Sequence, residues 1–447
     1  LPIPGNNLKK EAFYTCNIYI QCQLILTKRI IKTLPKVTPP KTAIIRVPPY
    51  SENIQFLFRN KIAGLSPFKR LIFSLQRAGI DNFIVLQENT LPVDQHEIEK
   101  DIQNDFRFKS NFQWNVLGRE TFEEDLHSIN LLPEFDKVLV VESDFVTTTG
   151  LIKDFINSAC SFETDAVAGL INESNHSDGI YLLVPSGVKN YLRYGSFNKE
   201  VTAVSLPGPW LYRQRVKNSQ SIRLVEKKIL NEHRLHYQQF MDIWFNSLFS
   251  ITISSFLVKT FLTPNQVTVL GLFIGMASGF FFAQGNYWSG FVGGLLLAAT
   301  AIWDCCDGDV ARLKFMESDF GETLDTICDN IINIFIFTGI MFGVAHSKGL
   351  AQALIPFLLL SLGGSWIFCL IYFPKGGKGS FFKNTPIYDV IQILASRNFI
   401  YVIFIFCVFG KLDWFLWLAG IGSNIFALCI YHAKRKITIS TVDETSK

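Results

Sequence analysis

The first half of the sequence lacks any apolar run long enough to cross a bilayer. Every stretch of that length lies after residue 240. The 447 residues therefore divide into a soluble first half and a membrane second half. No basic run interleaves with aromatics, and the net charge is only +4, which argues against nucleic acid as a partner. The nine cysteines follow no pairing pattern, and no His or further Cys pair stands at finger spacing from Cys305 and Cys306. Structural zinc is thus not expected there, and Cys305 and Cys306, inside the acidic stretch, read as reduced. The opening LPIPGNNLKKEAF places no long apolar segment behind basic residues, so no cleavable signal peptide is expected.

Hydrophobic residues, by contrast, make up 49% of the chain, with 41 Phe, and most of the excess is in the second half. Residues 1–40 read as an N-terminal extension. From Lys41 an α/β rhythm begins: TAIIRV, NFIVLQ, FQWNVL, KVLVVESDF, DAVAGLI and GIYLLVPS have strand character. FKRLIFSLQRAGI, GLIKDFINSAC and VKNYLRYG between them have helical spacing. Alternation of this kind predicts a largely parallel sheet covered on both faces, with ligands at the acidic strand end near Asp144. Residues 213–235 are basic and helical in pattern and suit a neck near an anionic lipid surface. Residues 236–262 carry Asp242, Asn246 and many hydroxyls among apolar residues, the composition of a helix lying in the interface.

Six spans follow by hydropathy, at 266–284, 287–303, 327–345, 350–373, 399–410 and 412–431. Lys375, Lys378, Lys383, Arg397, Lys434, Arg435 and Lys436 then fall on one side, with only Lys348 and Lys411 on the other. Cationic loops face the cytoplasm, which places both termini there. Where the second span ends and the third begins stand Asp304, Asp307, Asp325 and Asp329, spaced three and four residues apart on the two sides. Those spacings stack side chains on one helix face. Acids at membrane helix ends are costly without water, a partner or a metal, and mark function. Oxygen-only ligands converging without bases point to Mg²⁺, with Mn²⁺ or Ca²⁺ as relatives.

The pattern Asp304-x-x-Asp307-Gly308-x-x-Ala311-Arg312, eight residues, then Gly321-x-x-x-Asp325-x-x-x-Asp329, resembles the CDP-alcohol phosphatidyltransferase motif. The resemblance implies a six-span all-α membrane domain at 263–436, with a tail at 437–447. It implies two Mg²⁺ or Mn²⁺ ions held by Asp304, Asp307, Asp325 and Asp329, the last also the general base. Gly308, Ala311, Arg312 and Gly321 would line the nucleotide, and Lys375, Lys378, Lys383 and Arg397 could receive an acceptor phosphate. The implied reaction moves a phosphatidyl or substituted phosphoryl group from a CDP-linked donor to an alcohol or phosphorylated alcohol, releasing CMP. The donor is CDP-diacylglycerol or a CDP-polyol, and the protein is expected to be a homodimer in the cytoplasmic membrane with its active site inside.

Residues 41–230 resemble a Rossmann-like nucleotidyltransferase domain, as in inositol-phosphate cytidylyltransferase fusions. The likeness rests on the first strand, Ser66-Pro67 to Ala78-Gly79-Ile80, Glu142-Ser143-Asp144 and Gly179-Ile180-Tyr181. Two departures predict a degenerate domain. Pro48 and Pro49 follow the first strand where backbone N–H groups should cradle a triphosphate, and no acid follows Trp210. A bifunctional enzyme that makes its own CDP-polyol is the alternative. A transporter, from a different class, would leave the Gly/Ala/Arg spacing unexplained.

Overall fold

The structure, a computed structural model, describes residues 39–47, 55–88, 95–117, 137–160, 168–171, 177–184, 187–188, 191, 202–204, 213–216, 218–233, 242–372 and 398–445. These form two compact units. One runs to Ile222 apart from Lys61–Leu65, and the other takes Lys61–Leu65 and everything from Arg223.

The first unit is built on β1 (Thr42–Arg46), α1 (Gln55–Arg59), α2 (Pro67–Arg77), β2 (Asn82–Glu88), α3 (Gln95–Gln103), β3 (Asn111–Leu117) and β4 (Val138–Glu142). It continues with β5 (Phe145–Thr147), α4 (Thr149–Ala159), β6 (Ala168–Ile171), β7 (Ser177–Leu183), β8 (Thr202–Val204) and β9 (Arg213–Arg215). Helix α2 starts where the sequence says it should: the Ser66 hydroxyl accepts from the Lys69 N–H and Pro67 fills the first turn. Its Phe68, Leu71, Ile72 and Leu75 repeat at helical spacing and are buried. Each such side chain contributes about 1.5–3 kcal/mol on leaving water.

The main sheet has the order β3-β2-β1-β4-β7-β6-β8. It is mixed. Strands β3, β2, β1 and β4 are parallel, whereas β7 runs antiparallel to both β4 and β6. A short link joins β6 to β7, and a connection that short permits only antiparallel pairing. The basic segment also departs from the helix expected over 213–235. Arg213–Arg215 pair with Phe145–Thr147 as a strand, and helix α5 (Ser219–His233) starts only after Asn218, whose side chain accepts from the Ser221 N–H at 2.8 Å.

The second unit is helical. A π-helical turn at Asp242–Asn246 leads into α6 (Ser247–Leu257), followed by α7 (Pro264–Ala283), α8 (Tyr287–Leu313) and α9 (Asp319–Lys348). Then come α10 (Leu350–Tyr372), α11 (Asn398–Val408) and α12 (Leu412–Thr445). Among the described residues five helices, α7 to α10 and α12, are long and apolar enough to cross a membrane, as befits an integral membrane protein. The described part of α11 is shorter. Helix α6 buries Ser247, Ser250, Ser254 and Leu257 and packs along α8, while Leu248, Phe249 and Phe256 stay exposed.

Helix α7 begins with a capping box between Thr263 and Gln266 and packs against both α8 and α9. Its contact with α9 is made backbone to backbone. A Cβ at Gly339 would overlap the Gly279 carbonyl, and one at Gly343 would overlap that of Phe282. Among the described residues these are the tightest glycine contacts.

Candidate functional site

Helix α8 does not stop at Trp303, where the apolar run ends. It continues through the whole first half of the motif to Leu313, and α9 starts at Asp319, well before its own apolar run. The spacing explains why: Asp304 and Asp307, like Asp325 and Asp329, repeat at helical intervals, so each acid pair extends its helix toward the other. The reversal between them is made by Lys314 to Ser318. Phe315 takes φ +57°, and the Ser318 hydroxyl caps α9 by accepting from the Gly321 N–H at 3.1 Å. Lys314 fixes the end of α8 by donating to the Thr260 and Leu262 carbonyls, each at 2.8 Å.

This turn brings Asp304 and Asp307 of α8 against Asp325 of α9. One carboxylate oxygen from each lies within 4.8 Å of the others. Thr268 of α7 donates to Asp307 Oδ2 at 2.7 Å, which orients that carboxylate. Asp325 Oδ1 is buried and meets no hydrogen-bond donor among the described residues. An acceptor left bare in a buried site costs about 1–3 kcal/mol unless something supplies the missing interaction. Hard oxygen donors converging around such an atom fit a Mg²⁺ or Mn²⁺ ion. Asp329, half-buried one turn further along α9, stands outside the three-acid group.

The small residues of the motif have definite neighbours. A Cβ on Gly308 would lie 3.3 Å from one terminal nitrogen of Arg312, so the guanidinium folds back across the glycine. A Cβ on Gly321 would lie 3.3 Å from Asn265 Oδ1, at the start of α7. Ala311 is half-buried on the same face of α8 as Asp304 and Asp307. Arg312 pairs with Asp309 at 3.0 Å, an acid to which the sequence pattern gave no role. Lys375, Lys378, Lys383 and Arg397 lie outside the described residues.

The acidic turn of the first unit is built differently. Glu142 ends β4, and Asp144 lies just before β5. Arg215 of β9 reaches both. Its Nε lies 3.0 Å from Asp144 Oδ2, a terminal nitrogen lies 3.1 Å from Oδ1, and it also pairs with Glu142. Tyr191 donates to Glu142 Oε1 at 2.9 Å, and Arg46, level with Glu142 in the sheet, stacks over the Tyr191 ring. Burial pushes the Tyr191 hydroxyl up to about 12 and pulls the Arg215 guanidinium below its ordinary range. Arg215 is the residue that sequence reasoning missed. No local signal marks it, because it stands 71 residues from Asp144 in the chain and only the pairing of β9 with β5 brings the two together. The Pro48-Pro49 stretch and Trp210 lie outside the described residues.

Carboxylates that face one another across the turn between two apolar helices of membrane-spanning length make a candidate metal site. Residues 261–419 match the family model of CDP-alcohol phosphatidyltransferases, so the C-terminal half carries a domain of that family. A bifunctional IPC transferase and DIPP synthase of Aquifex aeolicus is 30% identical over 185 residues, covering 40% of each chain. A phosphatidylinositol phosphate synthase of Corynebacterium glutamicum is 31% identical over 132 residues, 29% of this chain and 58% of the relative. The chain thus spans less than two thirds of either relative. Among solved structures, an inositol-1-phosphate CTP transferase from T. maritima aligns with 43% of this chain and 97% of its own. That alignment has 11% identity and a TM-score of 0.30.

Proposed function

We propose that this protein is a CDP-alcohol phosphotransferase of phospholipid biosynthesis. It moves a phosphatidyl or substituted phosphoryl group from a CDP-linked donor to an alcohol and releases CMP. The observation that carries this reading is the meeting of Asp304, Asp307 and Asp325 within 4.8 Å, with one oxygen of Asp325 buried and bare. Asp304, Asp307 and Asp325 would hold two divalent ions, and Asp329, one turn further along α9, is the general base beside them. When bound, these ions neutralise charge on the diphosphate and on the departing CMP. Arg312 offers its planar fork to a phosphate oxygen, and Gly308, Ala311 and Gly321 leave room for the cytidine. Asp329 accepts, at a carboxylate oxygen, the proton of the acceptor hydroxyl. As that oxygen bonds to phosphorus, the bond to the CMP oxygen breaks.

The names of the two relatives support a polyol in the reaction. Both CDP-diacylglycerol with a phosphorylated polyol and a CDP-polyol with a polyol phosphate or lipid acceptor remain within this chemistry. Lys375, Lys378, Lys383 and Arg397 are the candidate ligands of an acceptor phosphate. Six spans, counting α11, with both termini and the acids on the cytoplasmic side, fit the distribution of lysine and arginine. The segment at 236–262 then works as the helix at the interface, and the exposed face of α10 suits a homodimer.

The soluble half, residues 41–230, is a nucleotidyltransferase-like domain that no longer makes CDP-alcohols. The Arg215 pairing supports this, because it gives the Asp144 carboxylate a guanidinium partner from the same domain. The deciding experiment incubates the purified full chain with Mg²⁺ or Mn²⁺ and CDP-diacylglycerol or CDP-inositol, each with inositol phosphate. CMP is quantified and the lipid or diester identified by mass spectrometry. Divalent-dependent CMP release with one donor supports the proposal. Release with neither donor sinks it.

A further inference from the structure

Arg312 raises a problem that the reaction does not answer by itself. It stands on the same helix as Asp304 and Asp307, one turn or two away, and a guanidinium is the natural partner of a carboxylate. Left free, it would close onto the metal-site acids, as Arg215 closes onto Asp144.

The back of α8 shows what holds it. Asp304, Asp307, Gly308 and Ala311 share one face of the helix, and Cys305, Cys306 and Asp309 share the opposite flank, toward α6. On that flank Cys306 contacts the Ser250 carbonyl, and Ser254 Oγ donates to Asp309 Oδ2 at 3.1 Å. Asp309 is only 1% exposed. Its other oxygen takes a terminal nitrogen of Arg312 at 3.0 Å. The guanidinium then lies across Gly308, at the border of the two faces, with Nε buried and meeting no acceptor among the described residues. Lys314, tied to the Thr260 and Leu262 carbonyls, fixes the end of α8 against the segment that carries Ser254.

We propose that Asp309, braced by Ser254, is a positioning residue: it holds Arg312 off the metal-site carboxylates and keeps its free donors available for the diphosphate of the nucleotide donor. This rests on the role given above to Arg312. The pairing also gives the helix ahead of the membrane bundle a stake in nucleotide binding, through one serine hydroxyl.

The test uses the full-length protein in detergent or nanodiscs, with CMP as the calorimetric probe in Mg²⁺ and with Mn²⁺ titrations of CMP release. Arg312→Ala and Asp309→Asn should each weaken CMP binding by at least about tenfold, the worth of one charge-assisted hydrogen bond. Ser254→Ala should act in the same direction but less, and Ser254→Thr, which keeps the hydroxyl, should restore affinity. Asp309→Asn should also raise the Mn²⁺ concentration for half-maximal turnover, because the released arginine competes for the acids. Adding Arg312→Ala to Asp309→Asn should bring that concentration back toward wild type, a reversal that loss of fold cannot produce. If Arg312→Ala binds CMP normally, the arginine's nucleotide role falls and this proposal with it. If Arg312→Ala is impaired but Asp309→Asn is not, only the positioning role is overturned. Should Asp309→Asn fail to fold, the serine pair decides. Unchanged CMP affinity in a thermally stable Ser254→Ala protein overturns the proposal.

Discussion

Each half of this molecule gathers acids at the end of an element, and the two gatherings are finished in opposite ways. In the sheet, Glu142 and Asp144 are met by Arg215, with Tyr191 on the remaining side of Glu142. In the bundle, Asp304, Asp307 and Asp325 converge from two helices, while the arginine on the same helix is paired to Asp309 instead. A carboxylate group satisfied by a guanidinium is a structural joint. A group from which the guanidinium is diverted is a place kept for a mobile cation. The number of acids does not separate the two cases. The placement of one arginine does.

The largest effect expected from breaking the contrast is on the bundle acids. Asp304→Ala or Asp325→Ala should lower CMP release by at least about 10³-fold and weaken divalent binding, since each removes a charged ligand from the reacting centre. Near-normal turnover in either would remove the metal assignment. Asp329→Asn should lose about 10²–10⁴-fold in rate, the worth of a general base, while its Mn²⁺ half-saturation stays near wild type. A parallel loss of metal binding would move Asp329 into the ligand set.

On the sheet side the effect should be one of stability. Losing one partner of a buried ion pair costs about 3–5 kcal/mol, and the 35% exposure of the Arg215 side chain reduces this to about 1–3 kcal/mol for Arg215→Ala. The readout is denaturant unfolding followed by tryptophan fluorescence. Neither wild type nor this variant should release pyrophosphate from CTP with polyol phosphates. Asp144-dependent release in either would erase the contrast and make the protein bifunctional.

The smallest effect is one of pH. Burial alone would raise the Asp105 carboxyl, but the hydrogen bonds and charge of Arg107, helped by Lys69, outweigh it and hold that group below the usual carboxylate range. The folded state therefore binds this proton less readily than the unfolded state. Its contribution is complete above the unfolded value, about 3.9, and fades as pH falls through the folded one. Acid melts should show the first unit weakening in that range. Asp105→Asn should flatten the slope, and an unchanged slope would assign it to other acids.

Much of the bundle site was legible in the sequence because its chemistry is carried by fixed spacings. Asp304, Asp307, Asp325 and Gly321 take their places from helical periodicity and a single turn. The strands of the sheet were legible for a similar reason, since short apolar runs between turn residues leave few alternatives. What escaped was pairing across long separations. Nothing local marks Arg215 as the partner of Glu142 and Asp144, because only the β5–β9 ladder brings them together. Asp309 was passed over because a spacing pattern ignores the positions that face the neighbouring helix. The antiparallel β7 depends on the link that joins it to β6, which strand character does not specify. The continuation of α8 past its apolar run was hidden for a different reason. Hydropathy reports where lipid ends, not where hydrogen bonding does.

Helix α7 supplies none of the acids, yet both sides of their meeting are measured from it. Through Thr268 it sets the carboxylate of Asp307 on α8. Through the carbonyls of Gly279 and Phe282, against Gly339 and Gly343, it sets the height of α9 and so of Asp325. It is the datum line of the site. An insertion in α7 between Thr268 and Gly279 would shift one reference point against the other by a residue's rise, about 1.5 Å, and turn it by about 100°. The acids would all still be present, on intact helices, and out of register with one another.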